Sequence, residues 1–243
     1  QNACPFDAII IGKDEYGVEI NMDTCVGCGL CVDLCENKNF IDKIEFIPLM
    51  NDLKGNRKVI AAVAPAIVGQ FGENVSINQI RAGLKKIGFA DMVEVAFFAD
   101  MLTIKEAVEF NRLVIKEKDF MLSSCCCPIW IGMIKNKYHE LIKYTSPSIS
   151  PMIAAGKVIK EIDPQCKVVF IGPCVAKKSE AKLEDLKGAI DYVLTFNELE
   201  DTFDIFNIDL EKLHEELSTQ YSSKGGRIYG RIGGVSTAVE YAI

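Results

Sequence analysis

Two folds in series, a small α+β module and a larger α/β domain with a mainly parallel sheet, are predicted by three observations. Cys25, Cys28, Cys31 and Cys35 form a C-x2-C-x2-C-x3-C run near the start of the chain. From Lys58 onward, short apolar runs alternate with amphipathic stretches, as βαβ units do. Unusual Pro and Cys segments stand directly after the predicted strands, where open α/β sheets bind their ligands.

The small module, residues 1–45, is predicted to open with a hairpin. Ala8 to Ile11 and Val18-Glu19-Ile20 are its apolar strands, joined by a Gly-containing turn around Asp14 to Gly17. The cysteine spacing lets three thiolates of one loop wrap a cubic cluster while the fourth reaches a neighbouring one. The module is thus α+β and ferredoxin-like, with two 4Fe-4S clusters. In the bacterial two-cluster pattern Cys4 completes the cluster held by Cys25, Cys28 and Cys31. Cys35 then serves a cluster whose other ligands precede residue 1, so the chain is expected to start mid-domain. Glu36 stands where such runs usually place Pro. Zinc is the alternative, but structural zinc usually pairs two separated C-x2-C knuckles, and the sequence has no second one.

In the larger domain, residues 46–243, Val59 to Val63 reads as a buried strand. A helix is predicted after Ser76, with Ile77, Ile80, Leu84 and Ile87 on one face and Gly88 as the stop. Met92 to Phe98 reads as the next strand. Helix Thr103 to Lys116, strand Phe120 to Leu122, helices Trp130 to Lys143 and Pro151 to Ile162, and strand Val168 to Ile171 follow. Ala64-Pro65, Cys125-Cys126-Cys127-Pro128 and Gly172-Pro173-Cys174 each follow a predicted strand, so the three can converge on one cofactor.

Composition narrows the function. The 243 residues, 49% hydrophobic, suffice for a sizeable core plus an accessory module. The 27 Lys and Arg against 34 Asp and Glu give no footprint for nucleic acid or anionic lipid. No apolar run approaches the roughly 18 residues of a membrane span, and the first residues do not pair a charged n-region with an apolar h-region. Ten cysteines, four in one run and three consecutive, speak for metal. Consecutive cysteines have Cα atoms about 3.8 Å apart, closer than an ordinary disulfide accepts, so a reducing, cytoplasmic setting fits best. The only histidines, His139 and His214, sit in charged surroundings with no nucleophile pattern, which disfavours a hydrolase triad. Cys166 reads as a structural thiol entering a strand.

Three segments then carry a resemblance. Ala64-Pro65-Ala66-Ile67, Ser123-Ser124-Cys125-Cys126-Cys127-Pro128-Ile129-Trp130 and Pro173-Cys174-Val175-Ala176-Lys177-Lys178-Ser179-Glu180 together resemble the FeFe hydrogenases. That family has a T-S-C-C-P-x-W and an M-P-C-x-x-K-x-x-E segment. The likeness runs from the ferredoxin module through Phe97-Phe98-Ala99-Asp100 to Gly233-Gly234-Val235, essentially the whole chain.

The resemblance implies an α/β hydrogenase catalytic domain and an H-cluster. This cofactor is a 4Fe-4S cube joined through a cysteine sulfur to a two-iron unit bearing carbon monoxide, cyanide and a bridging dithiolate amine. Cys127 and Cys174 fall where the family supplies two of the four cube ligands, and Lys177 where a cationic donor holds a cyanide. Pro65, Ala66, Gly172, Pro173 and Cys125 fall around the two-iron unit. Cys126 falls at the proton shuttle, Glu106 and Glu109 at two relay carboxylates, and Ser146 at a relay hydroxyl. The implied route is Cys126, Glu106, Ser146, Glu109, solvent. Residue chemistry agrees: soft thiolates suit an iron–sulfur cube, and a buried ammonium gains most beside an anion. Glu106 and Glu109, three apart on a predicted helix, can share a polar track; an exposed helix face is the alternative.

The sequence also departs from the family. Cys125 replaces the usual Ser, giving S-C-C-C-P; it is either a thiolate able to cap the open iron against oxygen or a small buried Cys without a role. Gly172 stands where Met is usual, Ala66 where Ser is common, and Met152 where Gln often follows Ser-Pro, so the surroundings of the two-iron unit are altered. No cysteine follows Cys174, whereas the family's other two cube ligands lie in a C-terminal C-x3-C segment. The chain is therefore expected to be cut at both ends, or a companion chain supplies the rest. The activity implied is reversible conversion of two protons and two electrons to hydrogen, with a ferredoxin as carrier and maturation proteins as partners. A hydrogen sensor and an iron–sulfur assembly factor lacking the two-iron unit are the other readings.

Overall fold

The computed structural model describes residues 3–12, 17–55, 57–116, 118–122 and 126–243. Its strands are β1 (Ile9–Ile11), β2 (Val18–Ile20), β3 (Val59–Val63), β4 (Asp91–Glu94), β5 (Lys167–Gly172) and β6 (Tyr192–Thr195). The helices are α1 (Leu30–Asp33), α2 (Phe46–Lys54), α3 (Ile77–Ile87), α4 (Val95–Leu113), α5 (Pro128–Lys137), α6 (Pro151–Ile162), α7 (Ala176–Glu180), α8 (Phe196–Ile205), α9 (Lys224–Ile228) and α10 (Gly234–Ala242). β1 and β2 pair antiparallel as expected, Ile9 opposite Ile20 and Ile11 opposite Val18, while residues 13–16 of the expected turn lie outside the described residues.

The four other strands form one parallel sheet in the order β4-β3-β5-β6. β3 lies at its centre with all five residues buried, as a strand covered on both faces must. Val63 pairs with Glu94 on one side and Ile171 on the other, so the carboxyl ends of β3, β4 and β5 lie level. That common edge is where the sequence places its cysteines and prolines. α3 keeps the predicted bounds: Ser76 and Gln79 form a reciprocal capping box and Gly88, at φ 120°, ends the helix.

Several boundaries differ from expectation. β4 ends at Glu94, and Val95 to Phe98 form the first turn of α4. The apolar run Met92 to Phe98 fits a buried strand or a buried helix start equally, because α4 is apolar nearly all round at this end. Phe120 to Leu122 is no strand; Leu122 makes a single parallel bridge to Thr145. α5 starts at Pro128 with Cys127 as N-cap and stops at Lys137, followed by a 3-10 turn over His139–Tyr144. β6 and α8 were not anticipated, although Thr195 and Glu198 carry a capping-box signature. No described helix is long and apolar enough to cross a membrane.

Candidate active site

The cysteine loop lies against the larger domain. Cys4, Cys25, Cys28 and Cys31 line one cavity of about 980 Å³, together with Val175, Lys178 and Ser179. Backbone amides already point at sulfur: Ala8 N donates to Cys4 Sγ and Gly27 N to Cys25 Sγ, each at 3.4 Å. Burial pushes the Cys31 thiol up, and the nearby Cys25 and Cys28 sulfurs add to the shift. Cys35 does not line this cavity. The amide of Phe40, and then those of Asn39, Asn37 and Lys38, hold its thiol below the ordinary range, the environment of a thiolate ligand. Its separation fits service to a different cluster. Among the described residues no three His, Cys, Asp or Glu side chains converge on a point that could hold a single metal ion. The four cavity cysteines instead surround a space, as ligands of a polynuclear cluster do.

Gly29 sets how closely the modules approach. It adopts φ 79°, and a Cβ there would lie 2.6 Å from Val175 Cγ2. The turn between Cys28 and Cys31 therefore touches the residue next to Cys174. The link between the modules is tied down as well. Lys178, buried, reaches Asp42 Oδ2 at 2.5 Å, Glu198 Oε1 at 2.8 Å and the Lys43 carbonyl at 2.8 Å. Burial opposes its charge, but the Asp42 and Glu198 carboxylates outweigh burial and raise its pKa. Glu45, also buried, accepts from Val193 N at 2.7 Å and pairs with Lys182 at 2.8 Å. Burial alone would raise its pKa; Lys182, the Val193 amide and Lys43 together lower it.

A second cavity, about 240 Å³, sits beyond the carboxyl ends of β3, β4 and β5. Ala64, Pro65 and Ala66 come to it from β3, Val95 from β4, and Pro173 and Cys174 from β5. Cys126, Cys127 and Pro128 enter at the start of α5, Met152 at the start of α6, and Lys177 from α7. Cys127, Cys174, Cys126, Lys177, Pro65, Ala66 and Pro173 are thus brought together, as the sequence leads one to expect. Gly172 is an exception. The Phe170 ring lies over it, so that a Cβ on Gly172 would come within 2.7 Å of Phe170 Cζ, and Phe170 forms the wall there. Cys125 lies outside the described residues.

Lys177 is buried, and its Nζ donates to the Cys126 carbonyl and to Glu180 Oε2, both at 2.6 Å. Glu180, the last residue of the same motif, pairs its buried carboxylate with the Lys177 ammonium beside an apolar wall. Glu106 is fully buried on α4, which excludes the exposed-face alternative. Ser146, buried, donates to Glu109 Oε2 at 3.1 Å, while Glu109 is partly exposed and lies 3.7 Å from Lys105. The Leu122–Thr145 bridge places this serine, since Ser146 N donates to the Leu122 carbonyl at 3.1 Å.

Residues 57–243 match the family described as the iron-only hydrogenase large subunit, C-terminal domain, and residues 18–38 match a 4Fe-4S binding domain. The large subunit of the periplasmic iron hydrogenase of Nitratidesulfovibrio vulgaris is 32% identical over 208 residues, 76% of this chain and 49% of that one. A cytosolic iron–sulfur cluster assembly factor of Kluyveromyces lactis is 27% identical, over 68% of this chain and 34% of that one. Among solved structures, a variant of a FeFe hydrogenase from Chlamydomonas reinhardtii superposes with a TM-score of 0.67 at 25% identity, covering 80% of this chain and 57% of that one. The chain spans about half the length, or less, of the curated relatives it matches.

Proposed function

Because the chain belongs to the iron-only hydrogenase large-subunit family, we propose that it forms the catalytic core of a FeFe hydrogenase interconverting protons, electrons and hydrogen. The observation that carries this reading is the convergence of Cys126, Cys127, Cys174 and Lys177 on one cavity at the sheet's carboxyl edge. Thiolates at Cys127 and Cys174 suit the cube of an H-cluster, and Lys177, ion-paired with Glu180, suits an anionic diatomic ligand. When bound, that cofactor supplies the redox chemistry at iron.

The chain's own residues do the rest. Cys126 carries the exchanging proton at its sulfur. Glu106 passes it along buried α4, and Ser146 and Glu109, already hydrogen-bonded, carry it towards solvent. Apolar walls from Pro65, Met152, Phe170 and Pro173 limit water, which strengthens the electrostatics inside. Cys4, Cys25, Cys28 and Cys31 would hold one 4Fe-4S cluster and Cys35 would serve another, and such clusters would supply electrons; the Gly29–Val175 contact sets the loop between Cys28 and Cys31 against the residue next to Cys174. A ferredoxin is the proposed carrier, a further segment or companion chain supplies the remaining cube ligands, and maturation proteins load the cofactor. Ten thiols without a disulfide pattern favour the cytoplasm.

A second reading, an assembly factor, is favoured by the Kluyveromyces lactis relative. Infrared spectroscopy of matured full-length protein separates the two. Carbon monoxide and cyanide stretches together with hydrogen evolution from a reduced dye support the hydrogenase. Stretches without turnover point to a sensor, and their absence favours the assembly factor.

A further inference from the structure

Among the described residues, three lysines line the 980 Å³ cavity that the small-module cysteines surround: Lys43, Lys178 and Lys182. The side chains of Lys43 and Lys182 are 64% and 48% exposed, and both turn to Glu45. Lys178 differs. Its side chain is only 4% exposed, and it stands on α7, the helix that begins two residues after Cys174. Salt screens exposed charges over about 10 Å, whereas a buried charge is screened much less. Lys178 is thus the cation whose field reaches the contents of the cavity.

Two of its three partners, Asp42 Oδ2 and the Lys43 carbonyl, belong to the segment that leaves the small module; the third, Glu198, belongs to α8. Asp42 and Lys43, which Nζ touches, line the cavity as well, so the charge that pins the module lies at the cavity wall. A 4Fe-4S cube takes up one electron and one negative charge on reduction, and no bond forms or breaks. A fixed cation nearby favours the reduced form, and the Asp42 carboxylate opposes that effect. The cation is in place only while α7 and the small module are in contact. If docking strengthens the hold on the electron, the electron strengthens docking by the same factor.

We propose that Lys178 is a redox-coupled latch: it pins the small module to α7 and raises the reduction potential of the cluster on Cys4, Cys25, Cys28 and Cys31, so that an electron delivered by the carrier tightens the docking. The proposal rests on the reading that these four cysteines hold a 4Fe-4S cluster. It is tested on matured full-length protein by a redox titration followed by electron paramagnetic resonance, using the signal that Cys31→Ser removes. Lys178→Met is expected to shift the reduction equilibrium roughly tenfold towards the oxidised form, the scale for a unit charge about 10 Å away at an effective dielectric of about 20. For one electron that is about 59 mV more negative. Lys178→Arg should stay near the parent. Asp42→Asn, which keeps an acceptor for Nζ, should move the midpoint the opposite way and gives the sign even where Lys178→Met binds its cluster poorly. Limited proteolysis should cut the segment around Asp42 more slowly in reduced than in oxidised parent, and at equal rates in Lys178→Met. A midpoint unmoved by Lys178→Met, or one that Asp42→Asn lowers as well, would overturn the latch and leave the cluster reading standing. A parent without the signal would overturn the cluster reading and the latch together.

Discussion

Ser146 and Glu109, 37 residues apart in sequence, share a 3.1 Å hydrogen bond in which the serine hydroxyl donates to the carboxylate. The bond joins the segment after α5 to the outer half of α4, and fully buried Glu106 stands one turn inward on that helix. Removing the hydroxyl should interrupt proton passage without disturbing the core. Ser146→Ala is expected to lower hydrogen evolution by roughly 10²-fold or more, the scale of a lost proton-transfer group, with little change in the melting curve. Dye-linked hydrogen assay beside thermal unfolding checks both.

Glu106→Gln keeps the shape and removes the titrating group. Turnover should fall and lose its normal pH dependence, while iron content stays at the parent level. A pH–rate profile indistinguishable from the parent's would remove Glu106 from the relay.

The linker carries its own pH dependence. The folded pKa of Glu45 is lowered, so its contribution to stability is present above the ordinary carboxylate value and lost as pH falls through the folded one. Lys178 is raised, so its contribution is present below the ordinary lysine value and lost as pH rises through the folded one. Both are intact at neutral pH. Glu45→Gln should cost about 1.5–3 kcal/mol at pH 7, the range for hydrogen bonds to a buried charge, and less once the pH is brought below the lowered folded pKa, where the parent loses the same interaction. Chemical denaturation at the two pH values measures the difference.

Gly29→Ala meets two obstacles, a left-handed backbone and the Val175 side chain. We expect a loss of about 1–3 kcal/mol, concentrated in the docking of the cysteine loop. Limited proteolysis should therefore cut the small module before the larger one.

Cys31→Ser should remove the visible absorption of the cluster proposed for Cys4, Cys25, Cys28 and Cys31 and lower the iron content accordingly. Infrared bands from the 240 Å³ cavity should persist, because Cys127 and Cys174 are untouched. Loss of dye-linked electron transfer with those bands retained would separate the electron path from the catalytic cavity.

Local chemistry made part of this molecule legible in advance. The hairpin, β3, α3 and the bounds of α6 follow from periodicity and from punctuation by Ser76, Gly88 and Pro151. The meeting of Pro65 with Pro173 and Cys174 follows from their places directly after β3 and β5, whereas Cys126 and Cys127 reach the same cavity without the strand expected before them. The Met92 to Phe98 run could not be resolved, since a buried strand and a buried helix start are equally apolar. The partnership of Phe170 with Gly172 and that of Tyr229 with Thr103 were invisible. The first depends on a ring folding over a glycine, the second on a 2.9 Å hydrogen bond between residues 126 positions apart.

The central claim is that Cys126, Cys127, Cys174 and Lys177 build a hydrogen-active iron site, and infrared spectroscopy of matured full-length protein tests it most directly. The account predicts carbon monoxide and cyanide stretches that vanish in Cys174→Ser, together with hydrogen evolution from a reduced dye that vanishes with them. A fully matured protein with intact 4Fe-4S absorption but neither stretch would contradict it.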